Sequence, residues 1–574
     1  MEICLLQIYP AWPTQRAGWW LWACTRFPSH KDPVSMKHLI CTPRVALFGA
    51  LSLLLAGCEQ APVVKTPPIA ALTIPLCVND ECAVLDQNGA FRVAPGSEFT
   101  QLYTQPFSNA FIFGRGDYWH LASGDGKQVI RADLTDSLYT LTPGLFGYDH
   151  NGKVGVMDEQ GKDVQPAIFD TVYVGGDNDF IVYEIGELRG ILTPQGEKVS
   201  EAVFDSMYVR EDFAKRGNWV LAERQGENWG YNLQTKVLRK LDFDTIVSAA
   251  DGHLVVSREG AAGKGLADAA GNLVIPLEKG WLGTPGGGLV AFRDSYDKPC
   301  GYLDYQGKVV IEAQYQSCET FGKVGGMVQL QRTEEDRGKA GMIGHDGKWL
   351  IQPEYDSVGD AGMGLLGMSG HRPGFNHIGK LQNMFLATYG TIDLDQGKVV
   401  FQPTYQQIGL VAPNRYAFSE LKSPKKTVMF MGMPNETPTM GLMDEKGKVL
   451  VKPEQFVSFK LLADGHHLLA AEGSKSDAVR ALYDLDGKLL VPAKWQDVVV
   501  DEARGAIFAY RVEGNGDDAV RTLRALYRLD GSVVFDTNRL PCGAEQVVDG
   551  KGQVLWPKDA QAHCPAPEPV AEAS

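Results

Sequence analysis

Several groups of residues in this 574-residue chain have the types and spacing to do chemistry. Met429, Met431 and Met433 alternate, so an extended segment would put their thioethers on one face, a soft donor set suited to Cu(I). His371 and His377 would have to come near in space to complete such a site. His466 and His467 are adjacent, and in a strand their side chains diverge, one to the core and one to solvent, which argues against a metal role. Asp484-x-Asp486-Gly487 opens like a calcium loop but lacks the later ligands and the closing Glu. The chain has no Gly-x-Ser-x-Gly elbow, no His-Glu-x-x-His and no Walker-type phosphate loop. Gly124-Asp125-Gly126-Lys127 reads as a hairpin turn. Packing of Met between strands and ordinary turn chemistry account for these groups. The sequence therefore assigns no catalytic residue, no metal site and no cofactor, and the chain reads as a non-enzyme.

The elements that would position any site come from one returning phrase. It is Gly155-Val156-Met157-Asp158-Glu159-Gln160-Gly161-Lys162, then Gly301 to Lys308, then Gly441 to Lys448. An apolar run meets a polar Gly turn, and a second apolar run follows, often closed by a Pro such as Pro166, Pro353, Pro403 or Pro453. An aromatic comes next: Phe169, Phe204, Tyr315, Tyr355, Tyr405, Phe456 or Trp495. A third β-rich run completes the unit, as in Phe180-Ile181-Val182-Tyr183. In one unit Lys236 stands where the turn Gly should be. The turns recur about every 35–50 residues and give roughly twelve units, the signature of a repeat array. Units this small cannot bury their own faces, so stacking must complete the core, with the recurrent aromatic between layers.

This pattern resembles the WG-repeat (KWG repeat) family, from about Cys82 to Asp536. The namesake Trp is present at Trp229; elsewhere its place is held by Val154, Arg189, Lys264, Cys300, Ala340 or Met440. The resemblance implies binding and scaffold modules, often extracytoplasmic in bacteria, with no catalytic residues and no agreed ligand. The expected fold is all-β: a tandem array of short antiparallel hairpin or three-stranded units, as an open solenoid or superhelix, or alternatively one or two β-propellers. The open array is favoured because three strands are one fewer than a usual propeller blade.

The ends speak to location. Lys37 and Arg44 precede an apolar run, Val45 to Ala56, of about 12 residues, the length of a signal-peptide core. It ends in Leu55-Ala56-Gly57-Cys58, which resembles the bacterial lipobox, whose Cys is lipidated; Glu59 follows, as in lipoproteins sorted to the Gram-negative outer membrane. The expected organisation is an upstream segment over 1–35 outside the true start at Met36, a lipoprotein signal over 36–57, and a flexible tether over 58–76. About twelve repeats over 77–541 and a C-terminal cap and tail over 542–574 follow. The expected location is the cell envelope, lipid-anchored at the outer membrane.

Six cysteines remain after Cys58, an even number in a chain read as exported, and sequence order proposes Cys77–Cys82, Cys300–Cys318 and Cys542–Cys564. The second would staple both ends of one repeat's hairpin. Net charge is −15 with no dominant basic stripe, which argues against nucleic acid as a partner. Two units are longer than the rest, with insertions near 359–389 and 413–439. Loops on rigid scaffolds carry binding. The expected partner-binding residues are therefore His371, Arg372, Phe375, His377, Lys422, Lys425 and Lys426. The expected function is a monomeric, membrane-anchored binding or scaffold module for another protein or envelope polymer; the alternative is copper handling or envelope stress through the Met/His insertions.

Overall fold

A computed structural model describes residues 69–564 except 97–98, 100, 104–105, 116–117, 135–137, 143, 176–178, 208–217, 334–337, 361–375, 384–387, 421–437, 463, 474–477 and 515–518. The described residues fall within one compact unit, 65–574. They form 47 strands in twelve antiparallel sheets, and their one helical element is a 3-10 turn at Ala560–His563. The sheets follow one another along the chain as the blades of a closed, propeller-like ring. Of the two expected arrangements, the chain takes the propeller-like one. No helix among the described residues is long and apolar enough to cross a membrane.

The seventh blade shows how the sequence builds one sheet. Its strands are Trp281–Leu282, Leu289–Arg293, Cys300–Asp304 and Val309–Tyr315, paired in that order. The third strand ends in Asp304, whose Oδ1 accepts the N–H groups of Gln306 at 3.0 Å and Lys308 at 2.9 Å. Gly307 takes the left-handed φ of +84° that the turn needs. Asp484 makes the same bonds to Asp486 and Lys488, so its carboxylate serves a turn. The two middle strands are almost entirely buried because a neighbouring blade covers each of their faces. The fourth strand alternates or is largely exposed, as befits an edge. In the fourth strands the register slips at a bulge, with or without a Pro: Thr391 faces Phe401 but Tyr389 faces Tyr405, and Tyr302 faces Ile311 but Cys300 faces Tyr315; the bulge is where Pro403 and Pro453 are tolerated.

Most blades have four strands, one more than the sequence reading counts. The additional strand opens each sheet immediately after the recurrent aromatic. Ser317–Phe321 begins one residue beyond Tyr315 and pairs forward with Gly325–Gln329. The strands also pass both expected limits of the array. Thr73–Val78 lies in the segment read as tether, and Glu545–Asp549 and Val554–Trp556 extend the last sheet into the segment read as cap.

Blades stack through two recurring contacts. The first is the aromatic. Phe169 is buried with Val172, Ile181 and Tyr183 of the following blade, and Trp495 with Val498, Ile507 and Ala509. The second is the turn glycine, which lies against the fourth strand of the preceding blade. A Cβ on Gly307 would stand 3.6 Å from Ile275, one on Gly347 3.9 Å from Ile311, and one on Gly531 2.8 Å from the Leu490 backbone. Lys236 takes the fifth blade's turn in left-handed backbone, φ +60°, with its N–H bonded to the Asn232 carbonyl at 2.8 Å.

The same contact closes the ring. A Cβ on Gly89 of the first blade would stand 3.6 Å from Val534 of the twelfth. Leu72, Ile74 and Leu76 share a buried cluster with Phe508, Leu526, Phe535 and Trp556. Asn79 and Glu545 exchange two hydrogen bonds, the Glu545 N–H donating at 2.7 Å and the Asn79 amide at 2.6 Å. The Arg524 guanidinium, beside Glu545 at 3.4 Å, donates to the Cys77 carbonyl at 2.9 Å.

All three expected cysteine pairs are bonded: Cys77–Cys82, Cys300–Cys318 and Cys542–Cys564. Cys77–Cys82 spans the first blade's hairpin. Cys300–Cys318 does not staple one hairpin. It ties the third strand of the seventh blade to the first strand of the eighth, because Ser317–Phe321 belongs to the next sheet.

The recurrent aromatics are not equally buried. Phe169, Phe204 and Trp495 are inaccessible, whereas Tyr355 and Tyr405 are half-buried. Phe169→Ala is expected to cost about 3–5 kcal/mol, the range for large buried aromatics, and Tyr405→Ala distinctly less. Gly531→Ala should cost about 1–2 kcal/mol for the left-handed backbone alone, with the Leu490 contact added. Denaturant unfolding of the three variants checks this order, and equal losses for Phe169→Ala and Tyr405→Ala would contradict it.

Candidate functional site

In a four-stranded blade the first-to-second and third-to-fourth turns lie at one edge; the second-to-third loop and the link to the next blade lie at the other. The first edge is mostly tight turns, and they touch between blades. The Gly288 N–H and the Tyr305 hydroxyl both reach the Asp251 carboxylate, at 3.2 and 2.5 Å. His345 Nε2 lies 2.8 Å from the Gly287 carbonyl. Arg415 Nη2 meets Asp486 at 2.9 Å.

His377 belongs to this edge, and it is the one expected partner-binding residue within the described structure. Its Nδ1 lies 3.1 Å from Asp395 Oδ1, and its backbone N–H donates to Asp395 Oδ2 at 3.1 Å. The Lys323 N–H donates to the same carboxylate at 2.7 Å. Burial alone would raise the Asp395 carboxyl; the two N–H donors and the imidazole outweigh it and hold the group below the usual aspartate range. Asp395 therefore clasps the turns of the eighth and ninth blades, with His377 of its own blade bracing it, and the His377 side chain is only 10% exposed. His371, Arg372, Phe375, Lys422, Lys425 and Lys426 lie outside the described residues, as do Met429, Met431, Met433 and Cys58. The ends of the two insertions are described. The first leaves Asp360 and re-enters at Ile378, between first and second strands; the second leaves Ser419 and re-enters at Met440, between second and third. They open on opposite edges of the ring.

The second edge holds a cavity of about 610 Å³ between the seventh and eighth blades. Its walls come from the loop Asp294–Pro299, the link Gln316–Glu319, and Gln331 with Arg332. Arg293 holds this corner together. Its guanidinium donates to the Lys298 carbonyl at 2.9 Å and to the Gln316 carbonyl, and it lies 5.7 Å from the Trp281 ring centre. Tyr296 stands on the rim, 90% exposed. The Ser295 hydroxyl, the local backbone N–H and Lys298 hold the Asp297 carboxyl below its ordinary range, so it is ionised. Cys318 on the wall is tied to Cys300. The lining thus offers guanidinium, ammonium, carboxylate, indole and phenol groups, but neither imidazole nor free thiol. Such a set recognises a polar or charged chain by hydrogen bonding and stacking. Sequence reasoning missed it. The available signal was Tyr296 set among Asp294, Asp297 and Lys298 in a loop longer than a tight turn.

A family model described as WG-containing repeat matches residues 301–329 and 341–361, the blades that form the cavity. Over these residues the chain carries WG-containing repeats. No curated protein matches the chain. Among solved structures, the WG-repeat chain is similar to a eukaryotic initiation factor, at 9% identity and TM-score 0.35, covering 72% of this chain and 97% of the other. It is similar also to the tricorn protease, at 10% identity and TM-score 0.23, covering 85% of this chain and 60% of that one. TolB from Acinetobacter baumannii matches at 10% identity and TM-score 0.23, over 47% of this chain and 75% of its own. At these scores nothing about activity or partners transfers to the WG-repeat chain.

The Asp395 clasp gives a pH dependence with a defined sign. A carboxyl held below its unfolded value, about 3.9, stabilises the fold above that pH and loses its contribution as pH falls through the folded value. Asp395→Asn is expected to melt below the wild type at pH 7, with the gap closing in acid. Melting curves from pH 7 to pH 3 check it; a gap that stays constant would contradict the assignment.

Proposed function

We propose that this WG-repeat ring is a non-enzymatic binding scaffold, tethered to the bacterial outer membrane through lipid on Cys58, that holds another protein or an envelope polymer at its cavity edge. The observation that carries the binding role is the cavity between the seventh and eighth blades, with its cationic and aromatic lining and exposed Tyr296. The tether rests on Leu55-Ala56-Gly57-Cys58 behind an apolar core, and the three disulfides agree with an exported chain. The partner meets a rigid face, because the cavity walls belong to two sheets joined by Cys300–Cys318. The ends of the second insertion, Ser419 and Met440, open on the same edge. The insertion residues His371, Arg372, Phe375, Lys422, Lys425 and Lys426 are kept as candidates for the partner contact on the sequence alone.

Two experiments test this. Palmitate labelling in a bacterial host should mark the wild type and be lost in Cys58→Ala; labelling that persists removes the anchor from the proposal. Pull-down from envelope extracts should recover a partner with the wild type but not with a Tyr296→Ala/Arg332→Ala double variant. Both residues sit on the rim, so the melting temperature should not move. Undiminished capture by the folded double variant rules the cavity out as the site.

A further inference from the structure

Two turns at the opposite edge from the cavity bring together an imidazole and two carboxylates from different blades. Asp464 and His467 lie at the turn between Ser458–Leu461 and His467–Ala471 of the eleventh blade. Glu502 lies at the equivalent turn of the twelfth, between Asp497–Asp501 and Ala506–Glu513. One ligand atom from each of the three falls within 4.8 Å of the others. We propose that Asp464, His467 and Glu502 bind a borderline divalent cation of the Zn²⁺ class, which clasps the eleventh blade to the twelfth.

The eleventh-blade half of this site is built in advance. Asp464 Oδ1 accepts the N–H groups of His466 at 2.8 Å and His467 at 3.1 Å. Its Oδ2 lies 3.1 Å from His467 Nδ1, so the carboxylate fixes the imidazole. Both side chains are only 10% exposed. Glu502 supplies the exposed, movable third arm. The cation in its own turn, Arg504, is directed elsewhere, 3.6 Å from Asp501 and 3.8 Å from Glu159. Among the described residues Glu502 has no ion-pair partner, and its carboxylate comes within 4.8 Å of the ligand atoms of Asp464 and His467.

The donor set selects the metal class. One imidazole with two carboxylates, and the remaining positions left to water, matches the three-ligand pattern of open Zn²⁺ sites. Calcium and magnesium take oxygen ligands instead. Sequence reading set the His466–His467 pair aside because neighbours on a strand point apart. His466 lies in the exposed turn before the strand and His467 is buried at the strand's start, so the pair is divided as expected, but His467 finds its fellow ligands in Asp464 and the next blade. The twelfth blade is also the one that closes the ring against the first, so the cation would brace the blade next to the closure.

The test uses the full chain stripped with chelator and then titrated with Zn²⁺ by calorimetry, with melting temperature as a second readout. The wild type should bind and melt higher with Zn²⁺. Glu502→Gln, an exposed change that leaves the metal-free melting temperature alone, should lose one equivalent or weaken it at least about tenfold. His467→Gln should do the same. Absence of Zn²⁺ uptake by the wild type, or the same number and affinity of sites in Glu502→Gln, overturns the proposal.

Discussion

The ring depends on the contact between a turn glycine and the strand of the blade before it. Each turn needs left-handed backbone just before its second strand begins, two residues ahead at Gly307, Gly347 and Gly531, and glycine takes it without strain. The absent side chain then does a second job. It lets the turn sit on the neighbour's fourth strand, as Gly531 does on the Leu490 backbone. Asp304 and its counterparts hold the turn's shape from inside, with one carboxylate oxygen on two N–H groups. A side chain at the glycine position would separate the blades and open the layer that Phe169 or Trp495 fills. Where the glycine is missing, at Lys236, Asn232 carries the turn instead, through Oδ1 and its carbonyl.

That contact explains why the chain closes. A blade with one bare face exposes its middle strands, and Gly89 with the Leu72–Leu76 segment meets the twelfth blade as every other blade meets its predecessor. Closure uses no shared sheet. It joins two faces through apolar packing, and Asn79, Glu545 and Arg524 tie the rim. The first blade has three strands and the last has six, so the ends are shaped for each other and not for the repeat.

Much of this is legible in the residues. The turns, the interlayer aromatics, the cysteine pairs and the number of units follow from short-range spacing, where local chemistry and tertiary contact agree. The fourth strand is not, because Ser317–Phe321 follows Tyr315 with a single residue between and no Gly or Pro to mark the break. Closure is not legible either, since nothing local to Gly89 points to Val534. The site is less readable than the fold for the same reason. The cavity joins residues from three separate loops, and the Asp464–His467–Glu502 cluster spans two blades. His377 is chosen by its residue type, yet its ring is used by Asp395.

The two edges of the ring therefore do different work. At the edge of tight turns, side chains and backbone of adjacent blades bind one another: Asp251 with Gly288 and Tyr305, Asp395 with Lys323 and His377, Arg415 with Asp486. The other edge carries the second-to-third loops, which differ in length between blades. It also carries the short links, which Cys300–Cys318 reinforces between the seventh and eighth blades. Variation at that edge leaves the layer contacts intact, which is the condition under which a repeat scaffold can acquire a binding surface. The cavity lies where a loop with an exposed Tyr296 meets the disulfide-braced link.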